Sequence, residues 1–485
     1  MKKFNLALMA GLLLSTGLPV YAQTDVLTQH NDLNRTGWNS QETQLNIKNV
    51  KAGSFAKLFT YTVDDQVYAQ PLVVSGVNIP GIGTRNLVYV ATVNNTVYAF
   101  DGDSARTAGP YWKVNLTPAG TRPPGNSDML PPTCGGSYHD FSGKIGIVGT
   151  PVIDRTAGTI YLVSRSLTTN GTNIYSQYLH ALDITTGAEK TGSPVRIAAQ
   201  VNGSGDGSVG GVISFDSQKQ NQRPGLLLLN GIVYIGYASH CDWAPYHGWL
   251  LGYDATTLQQ KIVYNSTPEG SAGGIWMSGA APSADASGNI YLATGNGSVG
   301  TAGNPSDPIN RGEGAVRLIP SGSGLTAGTF FTPYNYSNLD AADLDFGVTQ
   351  MLLVPGTQFV VMASKEGKLY TAGRNNMGGY HAAYDSVLQT ITLAVTAHLR
   401  SSLAYYQGTA HEFVYTWSEN ALLKAFPVDR IHDTLDVIHE VISGIQGPTG
   451  NNGASMSVSS NGAVDSTGIL SLCSDAGDQP GAGRR

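Results

Sequence analysis

Short runs of β-branched and aromatic residues recur along the chain and are separated by polar turns. The first pair of runs is 87–92 with 97–101, and the second is 160–163 with 179–183. The later runs are 233–237 with 249–254, 290–294 with 315–318, 359–363 with 369–372, 413–417 with 422–426, and a single run from 468. Their starts lie about 55 to 75 residues apart, which leaves room for four short antiparallel strands per repeat. This spacing is typical of propeller blades.

Composition favours the same fold. The chain has 485 residues, of which 60 are Gly and 24 are Tyr, and only 13% are charged. Exposed helix faces would need more charged side chains, whereas Gly-rich turns suit short strands. We therefore predict an all-β fold, a β-propeller of about seven four-stranded blades over residues 23–470, because a closed ring protects strand edges. We expect the segment 55–62 to add the missing outer strand of the last blade.

The two ends of the chain depart from the repeat. Lys2 and Lys3 precede an apolar run over 4–18, and Val20-Tyr21-Ala22 resembles a cleavage site. Residues 1–22 are therefore expected to be a signal peptide, and the mature protein to be secreted or periplasmic. Residues 471–485 show no strand pattern and are expected to form an irregular tail after an incomplete last blade.

Charge and cysteine content narrow the classes of partner. The net charge is −6 and no basic run is longer than the pair Arg484-Arg485, so nucleic acid is not an expected partner. No second run is apolar enough to suggest a membrane span. Cys134 and Cys241 can form a disulfide in an exported protein, with Cys473 left over, and free thiols are the alternative.

The repeats resemble those of a known family. Ala181-Leu182-Asp183-Ile184-Thr185-Thr186-Gly187 is similar to the core of the pyrroloquinoline quinone (PQQ) enzyme repeat, and 99–101 with Tyr111-Trp112 and 252–257 are looser copies. The chain thus resembles exported bacterial PQQ-like propellers. The resemblance implies a quinoprotein-type oxidoreductase acting on alcohols or sugars, with PQQ and Ca²⁺ as cofactors.

Candidate cofactor residues were sought in the loops that a propeller gathers on one face. A flat tricarboxylate with Ca²⁺ needs an aromatic platform, cationic side chains and oxygen ligands. The candidates are Trp276 for stacking, Asn296, Glu313 and Asp345 for oxygens, and Arg311 and Lys365 for carboxylates. Many quinoprotein alcohol dehydrogenases also carry a pair of adjacent cysteines, which this chain lacks.

A second polar group suggests other chemistry. The candidate acids and bases are Asp140, His139, His247 and Asp345, and His240, Asp242 and His247 are candidate metal ligands. His240, Asp242 and His247 share one loop over 239–247. The alternative is a polar, hydrogen-bonded loop that a Cys134–Cys241 disulfide holds in place, without a metal. Two further functions therefore stay open: a non-catalytic propeller that binds carbohydrate or protein, and a metal-dependent hydrolase or lactonase.

Overall fold

A computed structural model of the chain describes residues 24–130, 138–141, 143–168, 171–322, 324–393, 398–400, 402–447 and 454–474. The first strands are β1 (Trp38–Asn39), β2 (Leu72–Ile79), β3 (Gly83–Ala91), β4 (Thr96–Asp101), β5 (Trp112–Asn115), β6 (Thr121–Arg122), β7 (Val152–Asp154), β8 (Thr159–Thr168), β9 (Ile174–Asp183) and β10 (Val195–Arg196). The next are β11 (Gln200–Asn202), β12 (Val212–Ser214), β13 (Gln220–Asn221), β14 (Leu227–Leu229), β15 (Ile232–Ser239), β16 (Trp249–Asp254), β17 (Gln260–Asn265), β18 (Ser283–Ala284), β19 (Ile290–Thr294), β20 (Gly314–Ser321) and β21 (Gly324–Phe331).

The second half of the chain continues in the same way. Its strands are β22 (Leu352–Leu353), β23 (Phe359–Ala363), β24 (Lys368–Gly373), β25 (Gln389–Thr392), β26 (Ala404–Gln407), β27 (Glu412–Thr416), β28 (Leu422–Asp429), β29 (Thr434–Leu435), β30 (Val441–Gln446), β31 (Ala454–Ser459) and β32 (Ile469–Ser474). Within the described residues, helical structure is limited to α1 (Tyr336–Ala341) and to 3-10 turns at Asn126–Asp128, Met277–Gly279 and Asp465–Thr467. The predicted all-β class is confirmed.

Seven sheets stand in a ring and form a seven-bladed β-propeller with four-stranded blades. Blade 1 has the order β2-β3-β4-β5, and blades 4 and 5 have the orders β18-β19-β20-β21 and β22-β23-β24-β25. Blade 2 is built on β8 and β9, blade 3 on β15 and β16, and blade 6 on β27 and β28. The strands β11 and β12 pair only with each other. Each predicted pair of runs corresponds to the two middle strands of a blade.

The repeat motif explains how neighbouring blades dock. The Asp183 carboxylate accepts the backbone N–H groups of Thr185 and Thr186, at 2.9 and 3.1 Å, which fixes the turn after β9. Gly187 then adopts a left-handed φ of +73°, and the Trp112 ring of the preceding blade lies where a side chain at Gly187 would point. Trp112 Nε1 also donates to the Ile184 carbonyl at 3.0 Å. A side chain at position 187 would therefore push blades 1 and 2 apart.

Apolar side chains fill the spaces between successive sheets. Between blades 2 and 3, for example, Trp249 and Tyr237 are completely buried. Similar clusters join the other blade pairs, and each fully buried large side chain contributes about 2–3 kcal/mol to stability. Both faces of a middle strand contact a neighbouring sheet, which explains why the predicted runs are apolar along their whole length.

The seventh blade joins the two ends of the chain. The described part of its sheet has the order β1-β31-β32, with β1 parallel to β31. β1 pairs with β31 on the side opposite β32, and 55–62 forms no strand, so the outer strand expected from 55–62 is not part of this blade. The last strand, β32, extends to Ser474, beyond the predicted start of the tail at 471, because it pairs along its whole length with β31 and its Leu470 and Leu472 pack on the core.

Residues 25–37, here called the N-terminal strap, run through the channel of the propeller. Backbone carbonyls of the strap accept N–H groups from the innermost strands of six blades, at 2.8–3.1 Å. The donor–acceptor pairs, in chain order of the strap, are Val73 to Val26, Ile153 to Leu27, Ala284 to Leu33, Leu353 to Asn34, Tyr405 to Thr36 and Val458 to Gly37. The strap reaches these blades in their order around the ring, so it links the blades across the channel.

Arg35 occupies the centre of the strap and is completely buried. Its guanidinium donates to the Pro282 carbonyl at 2.8 and 2.9 Å, to Thr28 Oγ1 at 2.7 Å and to the Gln29 carbonyl at 2.8 Å. These contacts tie the strap to blade 4 and to itself. With Gln29, His30 and Thr36 also buried, the strap fills the middle of the channel.

Candidate functional site

Two classes of loop meet on one face of the ring, as expected. Trp276 precedes the innermost strand β18, and Asp345 precedes the innermost strand β22. Asn296 and Lys365 follow the second strands β19 and β23 of the same two blades. Residues that are distant in sequence therefore meet at the mouth of the channel.

Asp345 is the centre of a charged cluster at this mouth. Its Oδ2 lies 2.6 Å from Lys365 Nζ, and its Oδ1 accepts the Asn296 N–H at 2.9 Å. The same ammonium contacts Asp343 Oδ1 at 3.0 Å. Asp345 and Lys365 are both buried. A buried pair of this kind is held by its hydrogen bonds, which also fix the orientation of the Asp345 carboxylate.

Among the described residues, three buried polar atoms beside this cluster have no hydrogen-bond partner. They are Trp276 Nε1, Asn296 Oδ1 and Glu313 Oε2. The other Glu313 oxygen accepts the Phe346 N–H at 2.7 Å. Burial, and then the negative charge of Asp345, raises the pKa of Glu313 well above its usual value. Each unpaired buried polar group costs about 1–3 kcal/mol, so such a group indicates a place where a ligand can supply the missing partner.

The backbone around the mouth is strained as well. Asp242, Ser278, Glu313 and Asp343 all have left-handed φ values, of 48°, 44°, 42° and 53°. Non-glycine residues adopt this conformation at a cost of about 1–3 kcal/mol, and such residues concentrate in binding sites. The strain supports a functional role for the same face that carries the unpaired polar atoms.

The histidines of the third blade are engaged in packing. His240 Nδ1 lies 2.7 Å from Tyr138 Oη, and its other ring nitrogen contacts the Arg165 guanidinium. Burial, followed by the charge of Arg165, lowers the pKa of His240 well below its usual value. His247 Nδ1 lies 2.9 Å from Thr267 Oγ1, and its Nε2–H donates to the Asp206 carbonyl at 2.8 Å. Both rings are therefore saturated.

The predicted metal set does not form. Asp242 accepts the Tyr246 hydroxyl at 2.6 Å, and in the part of the chain that the structure describes no three His, Cys, Asp or Glu side chains are placed to hold a metal ion. The reason is that the imidazoles of His240 and His247 both point into hydrogen-bonded packing. His139 is exposed beside Asp140, which lines the mouth.

Two other predictions concern residues near this loop. Cys241 is disulfide-bonded and Cys473 is a free, exposed thiol, whereas Cys134 lies outside the described residues. Arg311 does not join the Asp345 cluster: its guanidinium lies over the Phe330 ring at 3.7 Å and donates to the Asn310 carbonyl at 3.2 Å. The predicted role of Arg311 in holding carboxylates therefore has no support from its position.

A cavity of about 480 Å³ opens next to the cluster. Its lining residues are Tyr68, Asp140, Phe141, Val148, Asn221, Arg223, Ser278, Gly279 and Arg400. A neighbouring cavity of about 610 Å³ shares three of these residues and is lined by Gln29, His30 and Asn31 of the strap. The strap is thus the floor of the mouth. Arg223 links the cavity to the cluster, since its guanidinium lies 5.9 Å from the centre of the Trp276 ring.

The sequence reasoning missed Arg223 and Arg400. Both lie in loops that lead to innermost strands, before β14 and β26. In a chain with only 13% charged residues, an arginine inside an otherwise apolar segment such as 222–229 is a usable signal. That signal indicates a shared site only when the ring is known, because the ring brings the loops before β14 and β26 together.

The fold and the mouth define a class of protein: a seven-bladed propeller with a strap as floor and a small-molecule-sized cavity above it. Among solved structures, the chain is similar to a quinohemoprotein alcohol dehydrogenase of Pseudomonas putida, with 14% identity, a TM-score of 0.58, and coverage of 90% of this chain and 68% of that one. It is also similar to the quinohemoprotein alcohol dehydrogenase of Comamonas testosteroni, with 15% identity, a TM-score of 0.56, and coverage of 90% of this chain and 69% of that one. A europium-containing methanol dehydrogenase is similar with 13% identity, a TM-score of 0.50, and coverage of 90% of this chain and 81% of that one.

At these identities the similarity establishes the fold alone. Neither a family model nor a curated protein matches the sequence. A search of the described residues for an apolar helix long enough to cross a bilayer also finds none. The chain therefore shares a β-propeller fold with these dehydrogenases.

Proposed function

We propose that the protein is an exported, quinoprotein-type oxidoreductase that oxidises an alcohol or sugar at the mouth of the propeller. The observation that carries the proposal is the buried cluster of Trp276, Asn296, Glu313, Asp345 and Lys365, in which three polar atoms lack partners. The quinoprotein dehydrogenases with a similar fold support the same class of reaction.

The cluster fits the proposed cofactors in its donor chemistry. Ca²⁺ prefers carboxylate and amide oxygens, and Asn296 Oδ1 and Glu313 Oε2 are such oxygens without partners beside Asp345. Lys365 is the cation of the cluster that is available for a carboxylate of PQQ, and Trp276 is the available aromatic surface. When bound, the quinone would supply the two-electron oxidant for the reaction.

The protein's own residues would handle the proton. Asp345 is held as a carboxylate by the Lys365 ammonium and the Asn296 N–H, which orient it without hydrogen-bonding all of its lone pairs. It would accept the proton of the substrate hydroxyl as a general base. The surrounding burial would exclude bulk water from the reacting hydroxyl, so the proton would pass to Asp345 and not to solvent.

The test is reconstitution of the purified protein with PQQ and Ca²⁺. We expect quenching of Trp fluorescence on binding PQQ and dye-linked oxidation of an alcohol or aldose. Asp345→Asn should retain the fluorescence change and lose at least about 100-fold in rate, since a general base typically contributes 10²–10⁴. Asp103→Asn, a change at an exposed carboxylate, is the matched control and should behave as wild type. Absence of both PQQ binding and oxidation would refute the proposal.

A further inference from the structure

Two arginines from distant blades face the 480 Å³ cavity at the mouth. Arg223 lies in the loop between β13 and β14, and Arg400 lies four residues before β26. Each is partly buried. Burial is the main cause that lowers the pKa of Arg223, and the nearby positive charge of Arg400 lowers it as well. The cavity therefore concentrates positive charge in a region of reduced solvent access, where like charges repel strongly.

Neither guanidinium is satisfied by the protein. Among the described residues, Arg223 and Arg400 have no hydrogen-bond acceptor and no carboxylate within ion-pair distance, and Arg400 Nε is a buried donor without a partner. Asp140 lines the same cavity and acts on Arg223 only through its charge at longer range. A buried cation that lacks both a counter-ion and acceptors is costly unless a bound anion supplies them.

The other buried arginines show that this condition is not general. Arg35 donates to carbonyls and to a hydroxyl in the strap, and Arg165 donates to His240 and to the Gln220 carbonyl. Only at the cavity do two guanidinium groups converge without such acceptors in the described structure. The difference identifies Arg223 and Arg400 as groups that await a ligand.

The rest of the cavity limits what that ligand can be. Tyr68, Phe141 and Val148 give it an apolar wall, whereas Asn221 and Asp140 add polar groups that can contact hydroxyls. Asn221 is buried and its Oδ1 has no partner. The volume lies within the range of small-molecule pockets, about 300–1,000 Å³, and exceeds what a simple inorganic anion needs.

We infer that the cavity binds a small hydroxylated organic acid, with Arg223 and Arg400 holding its carboxylate. Guanidinium groups bind carboxylates through paired, charge-assisted hydrogen bonds, which fixes the end of the ligand that carries the charge. The carbon chain then lies against Tyr68 and Phe141, and its hydroxyls face Asn221 and Asp140. Assignment of this acid as the substrate of the oxidoreductase rests on the proposed function, whereas its binding does not.

The test is isothermal titration of the full-length protein, without PQQ, using gluconate as the probe. D-Glucose serves as the neutral counterpart, and inorganic phosphate as the simple anion. We expect gluconate to bind, glucose to bind at least about tenfold more weakly, and phosphate likewise. Absence of gluconate binding, or equal binding of glucose, would overturn the inference, and phosphate binding as tight as that of gluconate would overturn the assignment to an organic acid.

Variants assign the binding to the two arginines. Arg223→Gln and Arg400→Gln should each weaken gluconate binding at least about tenfold, and Arg223→Lys should restore part of it. Arg196→Gln, at an exposed position at the end of β10, is the matched control and should leave the affinity unchanged. Unchanged affinity in both cavity variants, with native circular dichroism, would refute the site. Because no quinone is present, this result is independent of the reconstitution test.

Discussion

The floor of the channel contains a completely buried arginine and the mouth contains two partly buried ones, and the two regions use them differently. At the floor, Arg35 is completely buried and donates to three carbonyl groups and a hydroxyl. At the mouth, Arg223 and Arg400 have no acceptor in the described protein. A saturated buried charge is a structural element, whereas an unsaturated one is a site for a ligand. The comparison separates Arg35, which stabilises the ring, from Arg223 and Arg400, which are available to a ligand at its mouth.

The largest expected effect is that of Arg35→Gln. The shorter amide cannot reach the Pro282, Thr28 and Gln29 acceptors together, and it leaves a void between the strap and blade 4. Breaking a buried charged network costs about 3–5 kcal/mol. We expect a large fall in the midpoint of urea unfolding, measured by circular dichroism. A midpoint within experimental error of wild type would show that the strap does not stabilise the ring.

The acid sensitivity of the floor should be the next largest effect. Burial is the main cause that lowers the pKa of His30 from 6.5 to about 4 in the folded protein, and the nearby positive charge of Arg35 lowers it as well. The unfolded chain thus binds more protons between these values, and the stability due to neutral His30 is present above pH 6.5 and lost as the pH falls to about 4. The full difference corresponds to about 3 kcal/mol.

His30→Asn tests this expectation, because Asn tolerates the left-handed φ of 54° at this position. The variant should lose less stability than wild type between pH 6.5 and 4.5 in urea titrations. Asp32, whose pKa burial raises, and Arg35 are present in both proteins, so their contributions cancel in the difference. Parallel pH profiles for the two proteins would show that His30 is not the group that titrates.

These two regions also show what the sequence can and cannot reveal. The middle strands follow from short, uninterrupted apolar runs, because runs such as 160–163 contact neighbouring sheets on both faces. The strap has no such pattern: most of its residues 29–36 are polar, and the strap pairs with strands up to about 420 residues away through backbone groups, which carry no side-chain signal. The pairing of β1 with β31 was therefore missed, and the outer strand expected from 55–62 does not form.

The candidate site was predicted in part for a related reason. Trp276, Asn296, Asp345 and Lys365 lie in loops whose place in the blade follows from the repeat, so their meeting at the mouth could be expected. Arg311 lies in a long excursion between β19 and β20, whose path the repeat does not determine. The engagement of His240 by Arg165 and Tyr138 joins loops of different blades and needed the three-dimensional ring.

A smaller effect is expected at the mouth from Glu313→Gln. The pKa of Glu313 is raised by burial and by Asp345, so the stability associated with its protonated form is present at low pH and lost as the pH rises through the folded-state pKa. Gln retains the acceptor for the Phe346 N–H and carries no charge. We expect the variant to gain about 1 kcal/mol over wild type between pH 5 and pH 9 in urea unfolding. An equal pH dependence in both proteins would contradict the assigned titration.

The smallest effect, and the sharpest test of the comparison, is that of Arg223→Gln on stability. Since Arg223 makes no hydrogen bond in the described protein, its replacement breaks none and removes a partly desolvated charge that Arg400 repels. The free energy of unfolding, measured in urea, should stay within about 1 kcal/mol of the wild-type value or rise, in contrast to Arg35→Gln. In saturating gluconate the order should reverse, because only wild type retains the ligand's stabilisation. A loss as large as that of Arg35→Gln without ligand would place Arg223 among the structural arginines and remove the distinction between floor and mouth.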